Sequence, residues 1–230
     1  MKRLLGFMVI ILLSTTAQAE LRFEALGGTC QYTKVGNYIW YNDAYAHRLD
    51  MASRCGFFGI SSISPVTRTL GHGWRLGYAD LGTASTDAIF PMHDSEQPLH
   101  PSGKDCDPIT LHGCLGRGIG AQTAKGFSLG YVAELDFDGS IFGLEAGAFV
   151  YEGRWQVKVT SESAAFPPMN FDWRGYQATP YAGLTFRYGY LMAMARVYGR
   201  IRAAEHGCGG CSGVANGPGT QVLFGLSVPF

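Results

Sequence analysis

The run Phe127-Ser128-Leu129-Gly130-Tyr131-Val132-Ala133-Glu134-Leu135, followed beyond Asp138-Gly139 by Phe142-Gly143-Leu144-Glu145-Ala146-Gly147-Ala148-Phe149-Val150, decides the fold class. In its first half the apolar residues Phe127, Leu129, Tyr131, Ala133 and Leu135 take every second position, with Ser128, Gly130, Val132 and Glu134 between them. In its second half Phe142, Leu144, Ala146, Ala148 and Val150 share one face, opposite Glu145, Gly147, Phe149 and Tyr151. Side chains of a strand alternate between two faces, so each half is a strand with one apolar side. Asp138-Gly139 supplies the tight turn that makes them a hairpin.

The same reading extends in both directions. Pro180, Ala182, Leu184, Phe186 and Tyr188 alternate with Thr179, Tyr181, Gly183, Thr185 and Arg187; past a turn at Gly189, Leu191, Ala193, Ala195, Val197 and Ile201 face away from Arg196, Arg200 and Arg202. Val222, Phe224, Leu226, Val228 and the final Phe230 again occupy every second position. Weaker alternation marks three earlier strands, giving eight expected spans: 21–32, 48–61, 72–83, 119–136, 140–158, 173–188, 190–203 and 220–230. Connections after the second, fourth and sixth are short; those after the odd-numbered strands are long and polar. An even strand number with that asymmetry predicts an all-β, antiparallel, up-and-down transmembrane β-barrel, with short periplasmic turns and long extracellular loops.

Composition agrees. Of 230 residues 47% are hydrophobic and only 16% charged, against about 25% charged in a soluble domain. The formal net charge of +0 offers no basic field for a polyanion, so no nucleic-acid partner is expected. Lys2 and Arg3, the apolar run Leu4 to Leu13 and Ala17-Gln18-Ala19 have the order of a secretory signal, which predicts a cleaved signal peptide at 1–19 and a barrel domain at 20–230. No later apolar run reaches the length a membrane-spanning helix needs, so the chain would cross with strands.

A barrel of eight strands is just wide enough for its side chains to fill it. The faces assigned above turn Arg22, Glu24, Arg54, Arg75, Glu134, Glu145, Arg187, Arg196 and Arg200 inward, which predicts a mixed-sign network blocking the bore. A narrow pore lined by those charges is the alternative. Trp74, Tyr78, Tyr151, Trp155, Trp173, Tyr176, Tyr181, Tyr188, Tyr190 and Tyr198 read as aromatic girdles at the strand ends. Near Gly153 the alternation breaks, since Trp155, Val157 and Val159 take the parity opposite to Val150; a bulge or the end of a lipid zone would produce this.

The alternating end Val222, Phe224, Leu226, Val228 and Phe230, the Gly77-to-Gly82 run Gly-Tyr-Ala-Asp-Leu-Gly and the strand Pro180-Tyr181-Ala182-Gly183-Leu184 resemble the small outer-membrane barrels of the OmpA-like and opacity-protein superfamily. The resemblance implies outer-membrane lipid and the barrel assembly machinery as partners, the latter reading the C-terminal strand, with function carried by the loops. No peptidoglycan-binding domain follows the barrel in this sequence, so the anchoring role of longer relatives is not implied.

Six cysteines fit an oxidising compartment. Cys106 with Cys114 and Cys208 with Cys211 are expected to pair within their own loops, with bridging between the loops as the competitor; Cys30 and Cys55 fall on adjacent strands, but the alternation puts them on opposite faces. His93, Asp94, His100, Asp105, Asp107 and His112 share the longest loop and are the residues from which a rim hydrolytic or metal site would be built. The reading that results is a monomeric surface structural or interaction protein with an unknown ligand at its loops and no cofactor; the enzyme and the pore are the other classes.

Overall fold

The computed structural model describes residues 19–32, 46–50, 52–91, 115–161, 167–201 and 217–230. They form nine strands: β1 (Glu20–Tyr32), β2 (Ala46–Asp50), β3 (Ala52–Pro65), β4 (Leu70–Pro91), β5 (Leu115–Phe137), β6 (Ser140–Ser161), β7 (Met169–Tyr188), β8 (Leu191–Ile201) and β9 (Gly217–Pro229). All pairings are antiparallel, and no helix occurs among the described residues. β2 and β3 both pair with β4, β2 against Ser85–Ile89 and β3 against Gly71–Asp80, so together they make one interrupted stave. The order β4-β3-β1-β9-β8-β7-β6-β5 closes through a β4–β5 pairing into a ring of eight up-and-down staves.

Local chemistry sets the corners. Asp138 and Gly139 both have positive φ, 49° and 86°, the conformation of a type I′ turn, and Gly189 has φ 57° at the β7–β8 turn. These turns and the third, at residues 66–69, lie at one end of the barrel, here called the turn end. Glu20 and Pro229 lie there too, because Glu20 pairs with Ile63 and Arg22 with Pro229. The opposite, loop end is uneven: β4 to β7 run 20 to 23 residues, β1, β8 and β9 only 11 to 13. The four long staves therefore rise past the others as a curved sheet, the collar. Its height comes from strand beyond each expected boundary, notably to Pro91 in β4 and back to Leu115 in β5.

Two register shifts change which side chains turn inward, and the second corrects an assignment made from the sequence. Between Asp80 and Thr83 the β4–β5 ladder slips at Gly82, whose φ of +72° suits the bulge. The inward set then changes from Arg75, Gly77, Ala79 and Leu81 to Ala84 and Thr86. Between Tyr198 and Arg200 the β8–β9 ladder slips in the same way, so Ile201 turns inward and Arg200, expected in the interior, is exposed. No bulge occurs at Gly153, which pairs without interruption to Ala124 and Gly175.

The opposite-face assignment of Cys30 and Cys55 is also corrected. The β1–β3 register sets Cys30 against Ser53 and Cys55 against Gly28, which places both sulfurs diagonally on one face. They form a disulfide with Cα atoms 5.7 Å apart.

Candidate functional site

Below the collar, near the turn end, the interior is ionic. Glu145 is its centre: Arg75 Nη1 donates to Oε2 at 2.7 Å, Arg196 Nη2 to Oε1 at 2.7 Å, and the Tyr181 hydroxyl to Oε1 at 2.6 Å. Arg75 Nε also donates to Glu24 Oε2 at 2.7 Å, and Ser61 Oγ donates to Glu24 Oε1 at 2.7 Å. The Arg196 guanidinium lies over the rings of Phe57 and Tyr181, at 4.5 and 4.7 Å from their centroids. Glu24, Arg75, Glu145 and Arg196 are all buried. Gly130 leaves the room they need: a Cβ there would collide with the Tyr181 hydroxyl and Glu145 Oε1.

Toward the turn end, Arg22 Nη1 donates to Glu134 at 2.8 Å and Nη2 to Glu20 at 2.7 Å. A 360 Å³ mouth there is lined by Glu20, Arg22, Arg68, Glu134, Asp136 and the half-buried Arg187. Arg54 does not join the interior set. It is exposed beside Gly82, on the outward parity of β3.

Toward the loop end the described interior carries no charge and is mainly apolar: Phe149, Tyr151, Tyr198, Tyr32, Leu81, Trp155, Ile201, Val157 and Val159 are buried there beside the polar Gln122, Thr179 and Gln221. Tyr151, Trp155, Tyr181 and Tyr198 thus sit inside the barrel and Trp173 packs against the same interior; the girdle expectation is corrected for these five, while Tyr78, Tyr176, Tyr188 and Tyr190 are exposed.

The outside inverts at the same level. On β6 Phe142, Leu144, Ala146, Ala148 and Val150 face outward, and Glu152, Arg154, Gln156 and Lys158 continue the same face above them. The neighbouring staves change likewise, from Phe127 to Lys125 on β5 and from Ala178 to Arg174 on β7. Val222, Phe224, Leu226, Val228 and Phe230 are all exposed, on the apolar part of this wall. On the polar part, Asp172 accepts from Arg154 Nε at 2.8 Å and from Arg174 Nη2 at 3.2 Å, and these guanidinium groups hold its carboxyl well below the usual range.

The loop residues singled out in the sequence, His93, Asp94, His100, Asp105, Cys106, Asp107, His112, Cys114, Cys208 and Cys211, lie outside the described residues, as does the segment 1–18. Among the described residues, no cluster of His, Cys, Asp and Glu is arranged to hold a metal ion. His72 faces outward near the turn end, its Nδ1 2.6 Å from the Tyr131 hydroxyl. No protein-family model matches the chain, and no curated protein matches it.

Proposed function

We propose that this chain is an integral outer-membrane β-barrel that serves as a surface structural and interaction protein, lifting its collar and loops above the bilayer. One observation carries the reading: the outer wall changes from apolar to polar at one level, and the buried charged side chains Arg22, Glu24, Arg75, Glu134, Glu145 and Arg196 all lie on the turn side of that level. In water the lower wall would expose Leu144 at 65%, Phe127 at 63% and Phe224 at 64% of their surfaces, side by side with similar neighbours. Such a continuous patch marks contact with another apolar phase.

The height of the patch matches a bilayer. Phe142 to Val150 on β6 and Phe127 to Phe137 on β5 bound the outward apolar run, close to the roughly 9–11 residues a tilted strand needs to cross. A closed ring also leaves no unpaired edge at that level, as hydrocarbon demands. The resemblance of the Phe230 end to the strand read by the assembly machinery supports the same placement. The buried Glu24–Arg75–Glu145–Arg196 network favours a plugged barrel over a pore.

The test is placement. Refolded protein should float with phospholipid vesicles; on intact cells an impermeant amine reagent should label Lys158, while an impermeant thiol reagent should leave Thr67→Cys unlabelled until the outer membrane is opened. Protein that stays dispersed as a monomer in detergent-free buffer would overturn the reading, and steady conductance in planar bilayers would favour the pore.

A further inference from the structure

Among the described residues the collar ends in a strand edge that carries no partner strand. β6 pairs along β7 from Met169 to Tyr188, but β8 pairs only with Tyr181 to Tyr188. Residues 169–180 thus have a strand on one side only among the described residues, and Asn170, Phe171 and Asp172 are exposed on both faces of the sheet. Backbone donors and acceptors along such an edge are a template for another strand.

The sequence of that edge is self-complementary. Turned about Trp173, the triplet Asp172-Trp173-Arg174 sets Asp172 opposite Arg174 of a second copy, Arg174 opposite its Asp172, and Trp173 opposite Trp173. The charged pair lies on the outward face, where Arg174 and Asp172 are 56% and 37% exposed. Trp173 lies on the inward face, stacked on Phe171 with centroids 5.3 Å apart, so the two tryptophans would meet as a cross-strand aromatic pair. An antiparallel pair of identical strands is related by a twofold axis normal to the sheet. The collar stands upright, so that axis lies in the membrane plane and turns the second copy upside down.

We propose that the edge of β7 at residues 169–180, without a partner strand among the described residues, pairs with the same edge of a second copy projecting from an opposing membrane, making the protein a homophilic contact between facing surfaces. This rests on the outer-membrane reading above. The full chain is reconstituted in phosphatidylcholine vesicles, and clustering is followed by light scattering. Wild-type vesicles should cluster. D172R vesicles and R174D vesicles should each cluster about tenfold more slowly or worse, because each variant sets like charges across the axis. Mixed together, the two variants should recover, since the edge that carries arginine at both positions then faces the edge that carries aspartate at both.

Both positions are exposed, and flotation of each variant with its vesicles reports that the barrel still inserts. If the wild type floats but its vesicles stay dispersed, or if single variants cluster as well as the wild type, the pairing is wrong and the membrane placement stands. Failure to float would instead count against the placement. Clustering lost in both singles without recovery in the mixture also overturns the self-complementary register.

Discussion

The collar continues four of the eight staves of the lower barrel, and the two regions pack by opposite rules. Below Val150 on β6, Glu145 faces in and Leu144 faces out; above it, Trp155 faces in and Gln156 faces out. The pairing with β5 and β7 runs through this level unbroken, so the strand does not change, only what surrounds it. A wall facing hydrocarbon must turn its polar side chains inward, and a wall facing water does the reverse. On the membrane placement proposed above, the level of exchange on each stave is the boundary between the two media.

The largest effect that would break this contrast is expected at Glu145. Glu145→Ala leaves Arg196 without a carboxylate and Arg75 with Glu24 alone in the buried interior, and should cost about 3–5 kcal/mol, read by urea unfolding of the refolded barrel. A loss near zero would mean that water fills the bore. Trp155→Ala, in the collar interior, should cost about 3 kcal/mol by opening a cavity and should raise hydrogen exchange in β4 to β7 above Lys125 while sparing the lower staves. Equal exchange throughout would show that the two regions do not unfold separately.

A smaller pair of variants sharpens the boundary itself. Leu144→Arg on the apolar wall should cost about 2–4 kcal/mol for folding into a bilayer, whereas Gln156→Arg on the same face of β6 should stay within about 0.5 kcal/mol. Equal costs would remove the boundary. The smallest effect is a titration. Asp172, held ionised by Arg154 and Arg174, contributes stability that is present above the ordinary carboxylate range and is lost only as the pH falls through its lowered value. Its carboxyl carbon resonance should show no protonation step in the ordinary range near pH 4; a step there would mean that the pairs are not formed.

Much of the lower barrel is legible in the sequence because alternation, turn chemistry and strand number all reflect one constraint, an apolar outside. The hairpin at Asp138-Gly139 and the inward positions of Glu24, Arg75, Glu145 and Arg196 follow from parity alone. Parity fails wherever a ladder slips. Gly199 sits between Tyr198 and Arg200 at the slip, and a single glycine in a strand signals neither a bulge nor its direction, so parity sends Arg200 and Ile201 to the wrong faces. Arg54 and the Cys30–Cys55 bridge depend on the β1–β3 register, which pairs even positions of β1 with odd positions of β3 and which neither strand states by itself. The top of the collar reads as loop because its outward residues are polar, and an alternation with its apolar side inward is the reverse of the one that marks the lower wall. Trp155, Val157 and Val159 carry that signal as an apparent break in the pattern.

The seam between β1 and β9 gives the ring its kinetics. Arg22 finds its partner Pro229 only after every strand between them has been made, and each hairpin formed earlier waits with two bare flanks. Ordering so remote a contact is slow, and waiting flanks invite the wrong neighbour. An unassisted chain should therefore lose material to aggregation in proportion to its concentration. Strand β9 acts as the clasp: until it arrives there is a ribbon, and afterwards a cylinder.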